Sequence, residues 1–128
     1  MILMDTCSLI WLECDQSKLS SNVTQALAEP GAAVFVSVIS AFEIGLKIKN
    51  GELELPRRAS EWVTEVCKRR DIRVLPLDIE TAGLSTELPE IHRDPCDRFL
   101  VAAARIAALR IATPDKKIRQ YPGIEVVW

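Results

Sequence analysis

Apolar residues recur along this chain in two alternating patterns. Short β-branched blocks end at polar residues, and longer stretches carry apolar positions at helical spacing. MILMD, residues 1–5, is a short buried strand that closes on an acid. TCSLIWLE (6–13) follows as a short helix. SKLSSNVTQALAEPG (17–31) reads as a second helix, with serines at its start and Pro30-Gly31 as its stop. AAVFVSV (32–38) is a strand. SAFEIGLKIKNG (40–51) is helical, with Ser40 as its cap and Asn50-Gly51 as its end. In RRASEWVTEVCKRRD (57–71), Trp62, Val63, Val66 and Cys67 share one helical face. IRVLPL (72–77) is a strand, and DIETAGLSTEL (78–88) a helix closed by Pro89. DPCDRFLVAAARIAAL (94–109) is apolar nearly all round, which predicts a deeply buried helix. RIAT (110–113) and IEVVW (124–128) are the last strands.

Strands separated by helices require crossover connections, so the sheet is expected to be mainly parallel. The predicted fold is a three-layer α/β/α domain that occupies residues 1–128 as a single unit. No repeat, linker or low-complexity segment interrupts it. A chain of 128 residues can bury one real core but not two. In such folds ligands bind beyond the carboxyl ends of the strands.

That rule singles out acids. Asp5 ends the first predicted strand, and Asp115 lies two residues beyond Thr113. Asp94 and Asp97 begin a helix that leads into a strand, so they start at the same sheet edge. Glu43 sits in the first turn of the helix after 32–38. Each also has a structural reading. Asp5 can cap a helix, and Asp94 can be an N-cap ahead of Pro95, leaving Asp97 at N3. Ser40 and Glu43 fit a capping box. Asp78 reads best as a cap. Together the acids pose a physical problem. Two carboxylates ~4 Å apart repel by about 4 kcal/mol at an effective dielectric near 20. Proton uptake or a hard cation must compensate. Oxygen ligands without His or Cys suit Mg²⁺ or Mn²⁺.

Composition narrows the partners. The formal net charge is −2, and setting four acids aside leaves +2 on the rest. Basic residues gather at 47–49, 57–58, 68–70 and 116–119. An acidic pocket rimmed by basic clusters suits a polyanion cut at a metal, although any single cluster reads better as an ordinary solvated helix or loop face. Lys47, Lys49, Lys116 and Arg119 lie nearest the acids in sequence and are the expected contacts for the polyanion, ahead of 68–70. Aromatic content is 5%, so recognition should rest on shape and phosphate charge. The four cysteines form no C-x-x-C pair, and the one histidine, His92, makes a zinc site improbable. No segment has the length and hydrophobicity of a membrane span, and no leader is evident, so the expected location is the cytoplasm.

With those residues identified, the sequence resembles a PIN domain, in particular the VapC-type toxins. MDTCSLIWL resembles the opening strand-acid-helix motif, and VSVISAFEIGLKIKNGELELP the second acidic motif, with Glu43 as its acid. HRDPCDRFLVAAARIA resembles the third, with Cys96 where the family usually has phenylalanine. IATPDKKIRQYPGIEVVW resembles the closing segment, with Asp115 as the fourth acid. The resemblance spans essentially the whole chain. It implies a metal-dependent endoribonuclease with Asp5, Glu43, Asp97 and Asp115 as catalytic metal ligands, and Asp94 and Thr113 as outer helpers. It also implies a homodimer and an antitoxin that fills the groove.

Three other functions compete. A PIN-like module could hold RNA or protein without cutting, but the four acids are intact. A phosphoacceptor domain would place its aspartate on a central strand, whereas Asp5 ends the first, and would follow a later strand with lysine. A phosphatase with an aspartyl nucleophile would want an acid at position 7, which is cysteine. Thr6, Cys7 and Ser8 have no sequence-adjacent histidine to activate them as nucleophiles.

Overall fold

A computed structural model describes residues 1–128. Five strands form one all-parallel sheet: β1 (Ile2–Met4), β2 (Val34–Ser37), β3 (Ile72–Leu75), β4 (Arg110–Ala112) and β5 (Val126–Val127). Their order across the sheet is β3-β2-β1-β4-β5. The first strand is therefore the central one. Chain order alone did not argue against a phosphoacceptor geometry.

Six helices cover the sheet: α1 (Thr6–Cys14), α2 (Ser21–Ala28), α3 (Ile39–Lys49), α4 (Ala59–Arg70), α5 (Ile79–Glu87) and α6 (Pro95–Ala107). The two-residue period of the strands divides their side chains between two cores. Ile2, Met4, Val36, Ile72 and Ala112 join Leu9, Val23, Ile44 and Val66 from α1 to α4. Leu3 and Ile111 join Leu100, Val101 and Ala104 of α6, with Leu84 of α5 packed alongside. This is the expected three-layer arrangement.

Four local readings change. The stretch 17–31 is not one helix. Asp15 caps a short 3-10 turn over Gln16–Lys18, and Ser20 then caps α2 by accepting from the Val23 amide. Ser40 is not a cap either. Helix α3 begins one residue earlier, with Val38 at the N-cap, and the Ser37 hydroxyl accepts from the Ile39 amide. Ser40 is buried and faces Thr6, so the capping box with Glu43 does not form. Helix α6 is one-sided rather than apolar all round. Leu100 to Ala104 are buried, but Arg105 is exposed and Ile106 partly so. Finally, α4 begins at Ala59, after Arg58 at its N-cap, and stops at Asp71, whose φ of 54° is left-handed. No helix is long and apolar enough to cross a membrane.

Candidate metal centre

Parallel register brings the predicted acids to one edge. Met4 pairs with both Val36 and Ala112, so the carboxyl ends of β1, β2 and β4 lie side by side. The Asp5 amide donates to the Ala112 carbonyl at 3.1 Å, which extends β1–β4 pairing to the first acid. Asp5 then caps α1, with its Oδ1 accepting from the Ser8 amide at 2.7 Å. Its structural and chemical readings are thus compatible. The cap uses one oxygen, and Oδ2 accepts from the Thr113 hydroxyl at 2.5 Å.

Thr113, fully buried, also links two acids. While it donates to Asp5, its oxygen accepts from the Asp115 amide at 3.1 Å. Glu43, in the second turn of α3, accepts from the Thr6 hydroxyl at 2.7 Å. Asp94 is exposed and caps α6, accepting from the Cys96 amide at 2.9 Å, with Pro95 at the first helical position. Asp97 lies in the first turn of α6, where the helix dipole favours a negative charge. Asp78 caps α5, as its sequence context suggested.

Electrostatics couple these groups. Burial holds the Asp5, Glu43 and Asp97 carboxyls above their ordinary range, and neighbouring acids push the same way. Asp115 acts on Asp5, Asp97 and Asp94 act on Glu43, and Asp94, Asp115 and Asp5 act on Asp97. The hydroxyl and amide donors offset part of this at Asp5 and Glu43. No lysine or arginine pairs with Asp5, Glu43, Asp97 or Asp115. Burial and the same acids push the Cys96 thiol up to about 12, so it stays protonated and packs as a small apolar group.

One further residue joins the site that was not among the predicted site residues, although it opens the stretch resembling the third acidic motif. His92 is buried, and ligand atoms of His92, Asp97 and Asp115 all lie within 4.8 Å of one another. Its Nε2 is 2.7 Å from Asp115 Oδ2. A lone histidine offers no spacing pattern to read. The available signal is its place two residues ahead of Asp94, in the loop that enters the acid-bearing helix.

The basic residues divide. Lys47 lines a groove with Cys7, Ile10, Trp11 and Lys18, while Lys116 and Arg119 line a second with Thr113, Pro114 and Trp128. Trp11 and Trp128 meet between these grooves, with ring centroids 5.9 Å apart. Lys49 is exposed and lines neither. Arg69 and Arg70 are taken up by ion pairs to Glu13. An open recess follows α4 between Arg57 and Arg69, and none of Asp5, Glu43, Asp97 and Asp115 lines it. Its lining residues are all polar or charged, including Glu61 and Glu65.

The chain matches the family model described as PIN domain over residues 2–124. It belongs to the PIN domain family. No curated protein sequence matches it significantly. Solved structures share the fold at low identity. A toxin–antitoxin complex from Klebsiella pneumoniae aligns at TM-score 0.65 and 21% identity, covering 100% of this chain and 98% of that one. DNA-bound VapBC from Salmonella typhimurium aligns at 0.69 and 19%, covering 98% and 95%. VapBC2 from Rickettsia felis, bound to a promoter DNA fragment, aligns at 0.72 and 14%, covering 98% and 97%. The matching family is that of PIN domains, not of phosphoacceptor domains or aspartyl phosphatases.

The donor set fits a hard divalent cation. Carboxylate oxygens from four segments share one edge without a lysine or arginine among them, which suits Mg²⁺ or Mn²⁺. The one nitrogen within reach, His92 Nε2, is engaged with Asp115.

Proposed function

We propose that this PIN domain, acting as one unit over residues 1–128, is a Mg²⁺-dependent endoribonuclease and the VapC-type toxin of a toxin–antitoxin pair. The observation that supports this reading is the electrostatic coupling of Asp5, Glu43, Asp97 and Asp115 at one sheet edge with no lysine or arginine paired to them. These four would hold Mg²⁺, or Mn²⁺ in its place. When bound, the ion supplies positive charge to the phosphate and acidifies the attacking water.

The chain's own residues do the rest. Ser8 and Thr113 fix the two oxygens of Asp5, and Thr6 fixes Glu43, so the carboxylates are oriented before a ligand arrives. Asp94 supports Asp97 from outside by setting the start of α6. Lys47, Lys49, Lys116 and Arg119 would contact RNA phosphates on either side of the acids. The toxin–antitoxin relatives of the fold favour an antitoxin partner, which would offer a basic side chain to the same acids. The chain would work in the cytoplasm as a homodimer, and sedimentation of the purified protein tests the dimer. Ile10 and Leu12 are core residues, and Trp11 is half-buried against Trp128, which leaves little of that stretch for an interface.

The decisive experiment is cleavage of RNA with and without EDTA. Cutting that stops with EDTA and returns with Mg²⁺ supports the enzyme. RNA binding without cutting, unchanged by EDTA, supports the rival reading of a catalytically silent PIN-like RNA- or protein-binding module.

A further inference from the structure

His92 sits in a network of its own. The Tyr121 hydroxyl oxygen accepts from the His92 backbone amide at 3.2 Å and lies 2.8 Å from ring Nδ1. The two rings are parallel, 1° apart in plane, with centroids 5.5 Å apart. Both side chains are buried. The loop that carries His92 is held from below by Arg98. That buried guanidinium donates to the carbonyls of Ser85, Leu88, Pro89 and His92 at 2.8 to 3.2 Å. Its charge faces the carbonyl end of α5, where the helix dipole is negative. The imidazole is therefore fixed through its backbone, its ring face and Nδ1.

For the neutral ring, donor accounting selects one tautomer. The Tyr121 oxygen already accepts from an amide, and its own hydrogen finds Nδ1 as the acceptor at 2.8 Å. Nδ1 is then bare and Nε2 carries the ring hydrogen. The other side of the ring agrees. Nε2 faces a carboxylate oxygen at 2.7 Å, and two lone pairs at that distance would repel.

We propose that His92 is a positioning residue for Asp115, holding Oδ2 through a donated Nε2–H bond in a tautomer that Tyr121 selects. The inference rests on the metal-site reading above. Asp115 follows the end of β4 in an irregular segment, and its side chain is about one-third exposed. Its Oδ1 accepts from the Lys117 amide at 2.9 Å, so His92 supplies the second restraint and fixes the carboxylate plane. Each oxygen keeps a further lone pair for a cation. A carboxylate restrained in this way loses less freedom on binding the ion, and outer hydrogen-bond partners of this kind typically contribute about 10- to 100-fold in metal affinity.

Because His92 is the one histidine, its ¹⁵N imidazole signals need no assignment. In the metal-free protein at neutral to mildly basic pH, the proton should reside on Nε2 and remain there as Mg²⁺ is added. A proton on Nδ1 overturns the proposal, and so does loss of the Nε2 proton on titration, which would make His92 a ligand. This measurement needs no variant. Calorimetric Mn²⁺ titration then compares the wild type with His92→Leu and His92→Gln. The leucine variant should bind Mn²⁺ about 10- to 100-fold more weakly. Glutamine can present its amide N–H where Nε2–H lies, and should recover most of the loss. Equal affinity in wild type and leucine variant, or equal loss in both variants, overturns the positioning role. A wild type that binds Mg²⁺ and Mn²⁺ not at all overturns the metal-site reading and this inference with it, whereas the variant results overturn this inference alone.

Discussion

Replacing Asp97 by asparagine separates what this acid does for metal binding from what it does for the fold. Atoms of Asp97 and Asp115 come within 4.8 Å, a distance at which two unit charges repel by about 3.5 kcal/mol at an effective dielectric near 20. Asp115 is partly exposed, and solvent screening cuts this to about 1 kcal/mol. Against that relief, asparagine forgoes ~0.3 to 1 kcal/mol of interaction with the α6 dipole. The two nearly cancel, so the metal-free variant should melt within about 4 °C of wild type. With Mg²⁺ a hundred-fold above its dissociation constant, the wild type should gain about 2.7 kcal/mol, roughly 10 °C for a chain of this length. The variant should gain little and should not cleave RNA. Matched thermal melts with and without Mg²⁺, run beside the cleavage assay, test this. A variant that gains the full metal shift, or keeps full activity, refutes the assignment. A metal-free variant destabilised by more than about 2 kcal/mol refutes the electrostatic reasoning.

Asp94→Ala should show the opposite profile, losing ~0.5 to 2 kcal/mol of stability with the α6 cap while retaining cleavage, as melts and single-turnover rates would show. Metal-free stability should also depend on pH. Asp5, Glu43 and Asp97 bind protons more tightly folded than unfolded, so stability should fall as pH rises from about 4, the unfolded carboxylate value, through their raised folded values. Asp97→Asn should flatten that decline, and melts at a series of pH values would reveal a wild type that instead gains stability there from these groups. Neutral replacements at Lys47, Lys49, Lys116 and Arg119 should weaken RNA binding and lower the salt slope by roughly 0.7 for each phosphate no longer neutralised, whereas replacing Arg69 or Arg70 should cost stability through Glu13 and leave the slope alone.

Much of this chain is determined locally. Strand and helix types followed from apolar spacing, and the caps at Asp78 and Asp94 from chemistry confined to a few residues. The convergence of Asp5, Glu43, Asp97 and Asp115 was also legible, because parallel strands with crossover helices put acids at strand ends and helix starts on one edge. Other features exist only across long sequence separations. Ser40 looked like a cap because its neighbours are helical, yet the sheet brings Thr6 against it, and the helix starts earlier. Thr113 bridges Asp5 and Asp115 because β1 and β4 pair side by side. That β1 is central rather than merely first is a property of the sheet order. His92 is the clearest case. It opens the stretch that resembles the third acidic motif, but the sequence assigns it no role there. Its role depends on Tyr121, 29 residues away, and Asp115, 23 residues away, which only the folded chain brings within hydrogen-bond distance. Sequence pattern dictates which faces are buried and which ends meet, since burial and backbone pairing repeat regularly. Hydrogen-bond partners between loops follow no period, so the tertiary structure alone decides them.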